Sequence, residues 1–268
     1  ATAPGDIGGE AYVVFGRADG FPAETNLSSL DGTNGFRIPG TENRIGVMVG
    51  SSGDVNGDGF HDLYISSYRS TDPDNTSARG VGEAFVIFGR STAFPAVFDS
   101  DSLDGSNGFT LIGPTQNFGQ FGLGGFAGDI NGDSIDDLIV HADNADPGGR
   151  IGAGESYVVF GRTASGGGFP GTFLLSSLAV GDGSTGFVLN GGTANSSPGQ
   201  KVTLGAGDIN ADGINDIVVG APAAGQPGRH SQQRSSYRSC SLHHKRPGAR
   251  FDGSQMTQPS PVGHCVEG

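Results

Sequence analysis

Three short stretches gather oxygen-bearing side chains at a spacing that could hold a cation. They are "DVNGDGFHD" at 54–62, "DINGDSIDD" at 129–137 and "DINADGIND" at 208–216. Counting from each first Asp, positions 1, 3, 5 and 9 are Asp54, Asn56, Asp58 and Asp62 in the first copy. They are Asp129, Asn131, Asp133 and Asp137 in the second, and Asp208, Asn210, Asp212 and Asp216 in the third. Side chains at alternate positions of a tight turn can converge on one point, and the carbonyl at position 7 (Phe60, Ile135, Ile214) can turn in with them. With the last carboxylate bidentate, each loop offers roughly six oxygens, which suits Ca2+. No His or Cys belongs to the set, so zinc and copper are poor candidates, and magnesium would want fewer carboxylates and more retained water.

An EF-hand would place Glu at position 12 between two helices. Here Ile65, Val140 and Val219 occupy that position, each inside an apolar run. The closing carboxylate stands instead at position 9, at the mouth of a strand, so a cation would tie the loop to that strand. Up to three Ca2+, one per loop, are expected, with acidic Asx-turns lacking a metal as the alternative. The copies differ: Ser134 replaces the glycine at position 6, Ala211 replaces the glycine at position 4, and Asp136 is a spare carboxylate at position 8. The first and third loops are expected to bind best.

The elements that must hold these loops recur with them. "GEAYVVFGR" (9–17) returns as "GEAFVIFGR" (82–90) and "GESYVVFGR" (154–162), which sets Phe15, Phe88 and Phe160 73 and 72 residues apart. "SLDGTNGFRI" (29–38), "SLDGSNGFTL" (102–111) and "AVGDGSTGFVL" (179–189) follow in the same order, each before its acidic loop. One unit is therefore used three times, at 9–81, 82–153 and 154–228, after a lead at 1–8. Runs such as "AYVVF", "GFRI", "VMV" and "DLYI", bounded by Gly, Asn and Asp, read as strands, and no stretch sustains a helical period. The fold expected is all-β, with about four strands per unit, as in a propeller blade. A solenoid of stacked β-units is the competing architecture.

Composition agrees with many short strands joined by tight turns: 50 Gly and 14 Pro stand beside 17 Phe in 268 residues. The net charge of −13 argues against nucleic acid as a partner. No run of 18 apolar residues is present, so membrane insertion is not expected. The chain opens Ala1-Thr2-Ala3-Pro4 rather than on Met, and is expected to be a processed or excised product. Past Gly228 the repeat register is lost. The stretch 229–268 holds both Cys, four of the six His and six of the fifteen Lys and Arg. It is expected to be a frameshifted or disordered tail, with a basic interaction tail as the alternative.

Asp-x-Asn-x-Asp-Gly-x-x-Asp followed by an apolar strand resembles the calcium loops of FG-GAP repeats, as in integrin α-subunit propellers and bacterial surface proteins. The third copy also carries "GAP" (Gly220, Ala221, Pro222), and an "FG" (Phe118, Gly119) precedes the second loop. The resemblance covers 9–228 and implies a β-propeller with Ca2+ in certain blades; the long unit looks more like the bacterial branch. Three units fall short of the four to eight blades that close a ring, so an incomplete or small propeller is expected. Self-association to complete the propeller follows from that. The function implied is an extracellular, secreted or cell-surface, calcium-binding module with a structural or adhesive role. Its partners would be calcium and a cell-surface protein or glycan.

No enzymatic activity is expected, because no Ser–His–Asp set or separate carboxylate pair recurs. The alternative is an accessory or carbohydrate-binding domain of a larger secreted enzyme, or a lectin. His61 and His141 occupy non-equivalent places and are expected to be exposed. Asp31, Asp104 and Asp182 could add ligands, but Asp-Gly there reads first as a hairpin turn.

Overall fold

A computed structural model describes residues 9–40, 45–67, 82–113, 121–142, 145–192 and 205–221. The lead at 1–8 and the tail at 229–268, with the expectations attached to them, lie outside the described residues, as does the "FG" at 118–119. Chain contacts define a unit Ala1–Pro227 and a unit Gly228–Gly268, and all the described residues belong to the first.

The fold is all-β, as the repeat pattern implies. In the first repeat, β1 (Glu10–Val14) and β2 (Gly35–Pro39) precede the long β3 (Ile45–Gly53) and β4 (Asp62–Ser67). The second repeat supplies β5 (Glu83–Ile87), β6 (Gly108–Ile112), β7 (Phe121–Gly128) and β8 (Asp137–Ala142). The third supplies β9 (Glu155–Val159), a short β10 (Thr172–Leu174) and β11 (Gly186–Asn190). The remaining regular pieces among the described residues are three-residue 3-10 turns; Leu27–Ser29 and Ser100–Ser102 are capped by the side chains of Asn26 and Asp99.

Sheet and sequence repeat are out of phase. β3 and β4 of one unit pair in an antiparallel meander with β5 and β6 of the next, and β7 and β8 pair likewise with β9 and β11. Each blade-like sheet therefore takes its inner pair from one repeat and its outer pair from the following one. β1 and β2 form a two-stranded sheet. A strand from the next repeat then adds in parallel to the outer edge: β10 lies along β6, and Val97 bridges Arg37 of β2 in the same way.

A recurrent aromatic clamp fastens that added strand. Phe94 stacks on Phe36 with centroids 4.5 Å apart, and Phe169 stacks on Phe109 at 4.1 Å. Arg90 lies over Phe94 at 4.2 Å and Arg162 over Phe169 at 4.6 Å, so the arginine of "FGR" closes each stack as a cation–π contact. Gly105, with φ +94, meets the Phe169 carbonyl so closely that a Cβ would lie 2.5 Å or less from it, at 2.3 Å. The "LDG" glycine is thus needed both for its left-handed turn and for the approach of the next repeat. Asp31, Asp104 and Asp182 serve as turns there, each accepting the N–H two residues on.

The core runs through this arrangement. Tyr64, Val86, Phe109, Leu138, Val140 and Tyr157 belong to one continuous buried cluster that spans the two larger sheets. A second cluster centres on Phe36, Ile38 and Ile87. The phenylalanines of "FGR" pack into successive clusters: Phe15 against the second, Phe88 in the first, and Phe160 against a third that holds Ile139 and Val158.

One expectation fails. His61 is exposed, but His141 is 1 % exposed and lies inside β8. It follows the closing Asp137 by four residues on β8, an interior strand of its sheet whose six residues are all buried, so both faces of β8 are covered. The apolar run after the third loop differs as well. Residues 216–219 form only the bridge Gly207–Asp216 among the described residues, and Val218 is 42 % exposed. The stretch that would pair with it as β5 pairs with β4 falls outside the described residues.

Candidate metal loops

The three loops fold alike. Asp54 accepts the N–H groups of Asp58 (3.0 Å) and Gly59 (2.8 Å), and Asp58 accepts that of Phe60 (2.8 Å). Asn56 accepts from the Asp58 N–H and donates its amide to the Asp58 carboxylate. Asp129 accepts the N–H groups of Asp133 (3.1 Å) and Ser134 (2.7 Å), and Asp133 that of Ile135. Asp208 takes those of Asp212 (3.0 Å) and Gly213 (2.8 Å), and Asp212 that of Ile214. Asn131 and Asn210 accept from positions 133 and 212 as Asn56 does from 58. The turn needs positive φ at two places. Gly57, Gly132 and Ala211 supply position 4 (φ 68°, 80° and 62°), and Gly59, Ser134 and Gly213 supply position 6 (φ 88°, 70° and 90°). Ser134 and Ala211 therefore carry the left-handed strain that glycine avoids.

The position-9 carboxylates of the first two loops are buried and have no counter-ion among the described residues, whereas Asp216 is half-buried. Asp62 and Asp137 are each 0 % exposed. Asp62 accepts the N–H of Val55 (2.8 Å) and of Gly89 (2.9 Å); Asp137 accepts those of Ile130 (2.9 Å) and Gly161 (2.8 Å). No basic side chain pairs with either among the described residues. Burial pushes Asp62 up to about 7, against the pull of its two N–H donors and with help from the charges of Asp54 and Asp58. Burial likewise raises Asp137 to about 6. Asp216 keeps the Ile209 N–H at 2.6 Å.

The glycine of "FGR" is the partner that sequence reasoning missed. Gly89 and Gly161 reach the buried carboxylate of the preceding loop from the next repeat. A Cβ on Gly89 would stand 2.3 Å from the His61 carbonyl, and one on Gly161 would stand 2.4 Å from that of Asp136. Gly16, with no preceding acidic loop, has nothing within 4 Å. The signal was the recurrence of glycine itself at 16, 89 and 161.

Position 8 also has a role. The N–H of Asp54 donates to the Asp136 carboxylate (2.9 Å), and the N–H of Asp136 returns to the Asp54 carbonyl (3.2 Å). Asn215 N–H donates to the Asp129 carbonyl at 2.9 Å. The spare carboxylate thus clasps the loop before it, and successive loops form a chain of main-chain bonds.

As a cation site the loops fit in donor chemistry: hard oxygens, surplus negative charge and a buried carboxylate without a counter-ion. Each carboxylate oxygen that accepts one N–H keeps a lone pair for a metal. The carboxylates are not drawn into a closed cage, since among the described residues no three of His, Cys, Asp and Glu meet as a metal-holding group. The remaining donors at each loop are the Asn amide oxygen and the carbonyl of Phe60, Ile135 or Ile214. No helix among the described residues is long and apolar enough to cross a membrane, which leaves β-barrels unaddressed.

Comparison with known proteins agrees with the loop pattern. A model of the FG-GAP repeat matches residues 202–236, the stretch that holds the third loop. Phosphatidylinositol-glycan-specific phospholipase D of Dictyostelium discoideum is 30 % identical over 131 residues, covering 47 % of this chain and 13 % of that protein. The chain thus spans a small part of the relative it matches. Residues 202–236, which hold the third acidic loop, are therefore an FG-GAP repeat, and the first two loops fold as the third does.

Proposed function

We propose that the chain is a non-catalytic, extracellular calcium-binding module in which Ca2+ clamps each acidic loop to the strand that follows it. The observation that carries this reading is the buried, counter-ion-free carboxylate at position 9, repeated in Asp62 and Asp137. A cation there would offset the mutual repulsion of the loop carboxylates and stabilise the junction between consecutive repeats, because the same carboxylate holds the next repeat's glycine. The first loop, with glycine at both left-handed positions, should bind most tightly. The role is structural or adhesive, toward a cell-surface protein or glycan, and association of copies would complete a propeller.

Thermal unfolding with EDTA and with excess Ca2+ tests the clamp. At external, millimolar calcium each occupied loop should add about 0.4–1.4 kcal/mol. Equal melting points in the two conditions overturn the reading. A second reading, an accessory part of a larger secreted enzyme, is favoured by the similarity to part of a phospholipase D. It predicts that the chain alone leaves inositol-glycan lipids intact.

A further inference from the structure

A cavity of about 530 Å3 opens beside the aromatic clamp of the second and third repeats, bordered on one part by the first acidic loop. Its lining includes Arg162, Phe169, Thr163, Ser165, Ser106 and Asn56. The volume is that of a small-molecule site, and a few polar groups converging on such a volume are what such sites show.

Arg162 is its distinctive member. Its guanidinium lies over Phe169 at 4.6 Å and near Phe173 at 5.4 Å, so its plane is held from one side. Its one directed contact is a long hydrogen bond of 3.4 Å from Nη2 to the Thr185 carbonyl. It makes no ion pair among the described residues, whereas Arg17 and Arg37 pair with Asp19 and Glu10. A half-buried, oriented guanidinium with free N–H groups is suited to a planar carboxylate, which it can hold with two parallel hydrogen bonds.

Asp58 narrows the choice. It also lines the cavity, with one carboxylate oxygen accepting the Phe60 N–H and the other the Asn56 amide. A second negative charge on the ligand would meet Asp58, whereas hydroxyl groups would find acceptors there and in the side chains of Ser106, Thr163 and Ser165. Phe88 and Phe169 are each 6 % exposed, and Phe169 is covered by Phe109 and Arg162, so they hold Arg162 and the wall in place rather than offer a free ring face. We propose that this cavity binds a hydroxylated monocarboxylate of monosaccharide size, an acidic sugar, with its carboxylate on Arg162 and its hydroxyls toward the Asn56–Asp58 wall. The Asn56–Asp58 wall is shared with the first calcium loop and on that side the assignment rests on the calcium reading, whereas Arg162 and Ser106 are not metal donors in the clamp.

The test is calorimetric titration of the full chain with D-glucuronate, D-glucose and glutarate at one fixed calcium concentration. Glucuronate should bind with a millimolar dissociation constant, and the other two at least about tenfold more weakly. Arg162→Met should abolish binding. Arg162→Lys should weaken it about tenfold, because an ammonium keeps the charge and loses the fork. If Arg162→Met fails to fold by circular dichroism, Ser106→Ala serves in its place and should weaken binding severalfold. A uronate-ended oligosaccharide that binds as the monomer does identifies a glycan terminus as the source, and one that fails identifies the free acid. Glucose binding as tightly as glucuronate, glutarate binding more tightly, or no response to glucuronate each overturns the proposal.

Discussion

Replacing His141 with Asn should flatten the acid side of the stability curve. The imidazole is 1 % exposed, its Nδ1 lies 2.7 Å from Ser156 Oγ, and its Nε2 is buried with no hydrogen-bond partner. Protonation in the folded state would set a second N–H in that site with nothing to accept it, and burial accordingly holds the pKa down from 6.5 to about 4. In the unfolded chain the group titrates near its ordinary value of about 6.5. Between those two pH values the unfolded state binds more protons than the folded one, so stability falls as the pH falls. The contribution is whole above about pH 6.5, is lost progressively toward about pH 4, and is constant below that. A displacement of that size is worth about 3 kcal/mol, or about 6–12 °C in melting temperature for a unit of this size. The assay is urea unfolding of wild type and His141→Asn at intervals from pH 7 to pH 4. Asn should be the less stable at pH 7 and should gain on wild type by about 3 kcal/mol by pH 4. Asp62, Asp137 and the other carboxylates titrate in both proteins, so their effect cancels in the difference. A difference that stays constant across this range would refute the buried neutral imidazole.

Gly161→Ala should destabilise by about 1–3 kcal/mol in urea unfolding, since its Cβ would meet the Asp136 carbonyl and Ile135, while Gly16→Ala should change little. Asp62→Ala should cost about 2–4 kcal/mol by leaving the N–H groups of Val55 and Gly89 without their acceptor, and Asp62→Asn should cost less because one oxygen remains. Ser134→Gly should raise the melting temperature, with about 0.5–1 kcal/mol gained by relieving a φ of 70°.

The strands and loops were legible because each leaves a local mark. "AYVVF" and "DLYI" alternate or run apolar between turn residues, and the loops repeat one spacing three times. The phase of the sheets was not legible. A periodic sequence can be cut at any point of its period, and only hydrogen bonding shows that β4 joins β5 of the next unit. His141 was misjudged because an isolated polar residue carries no sign of coverage from both faces. Asp136 looked spare because its partner, the Asp54 N–H, lies in another repeat. Gly89 and Gly161 were read as strand ends, since a glycine's reason is a neighbour's carbonyl, which no sequence window contains. The donor spacing of each loop could be read directly, whereas the distances between its carboxylates could not.

The parallel strand that each repeat lends to the sheet before it sets an order of assembly during synthesis. β6 is finished at Ile112, but β10, which lies along its outer edge, is finished only at Leu174. At ribosomal rates of about 5–20 residues per second, that interval of roughly 60 residues lasts several seconds. Through it, the outermost strand shows its unpaired N–H and C=O groups to neighbouring nascent chains. A pause in elongation between residues 113 and 171 therefore holds a nearly complete sheet with one side open, and the same pause after Leu174 does not.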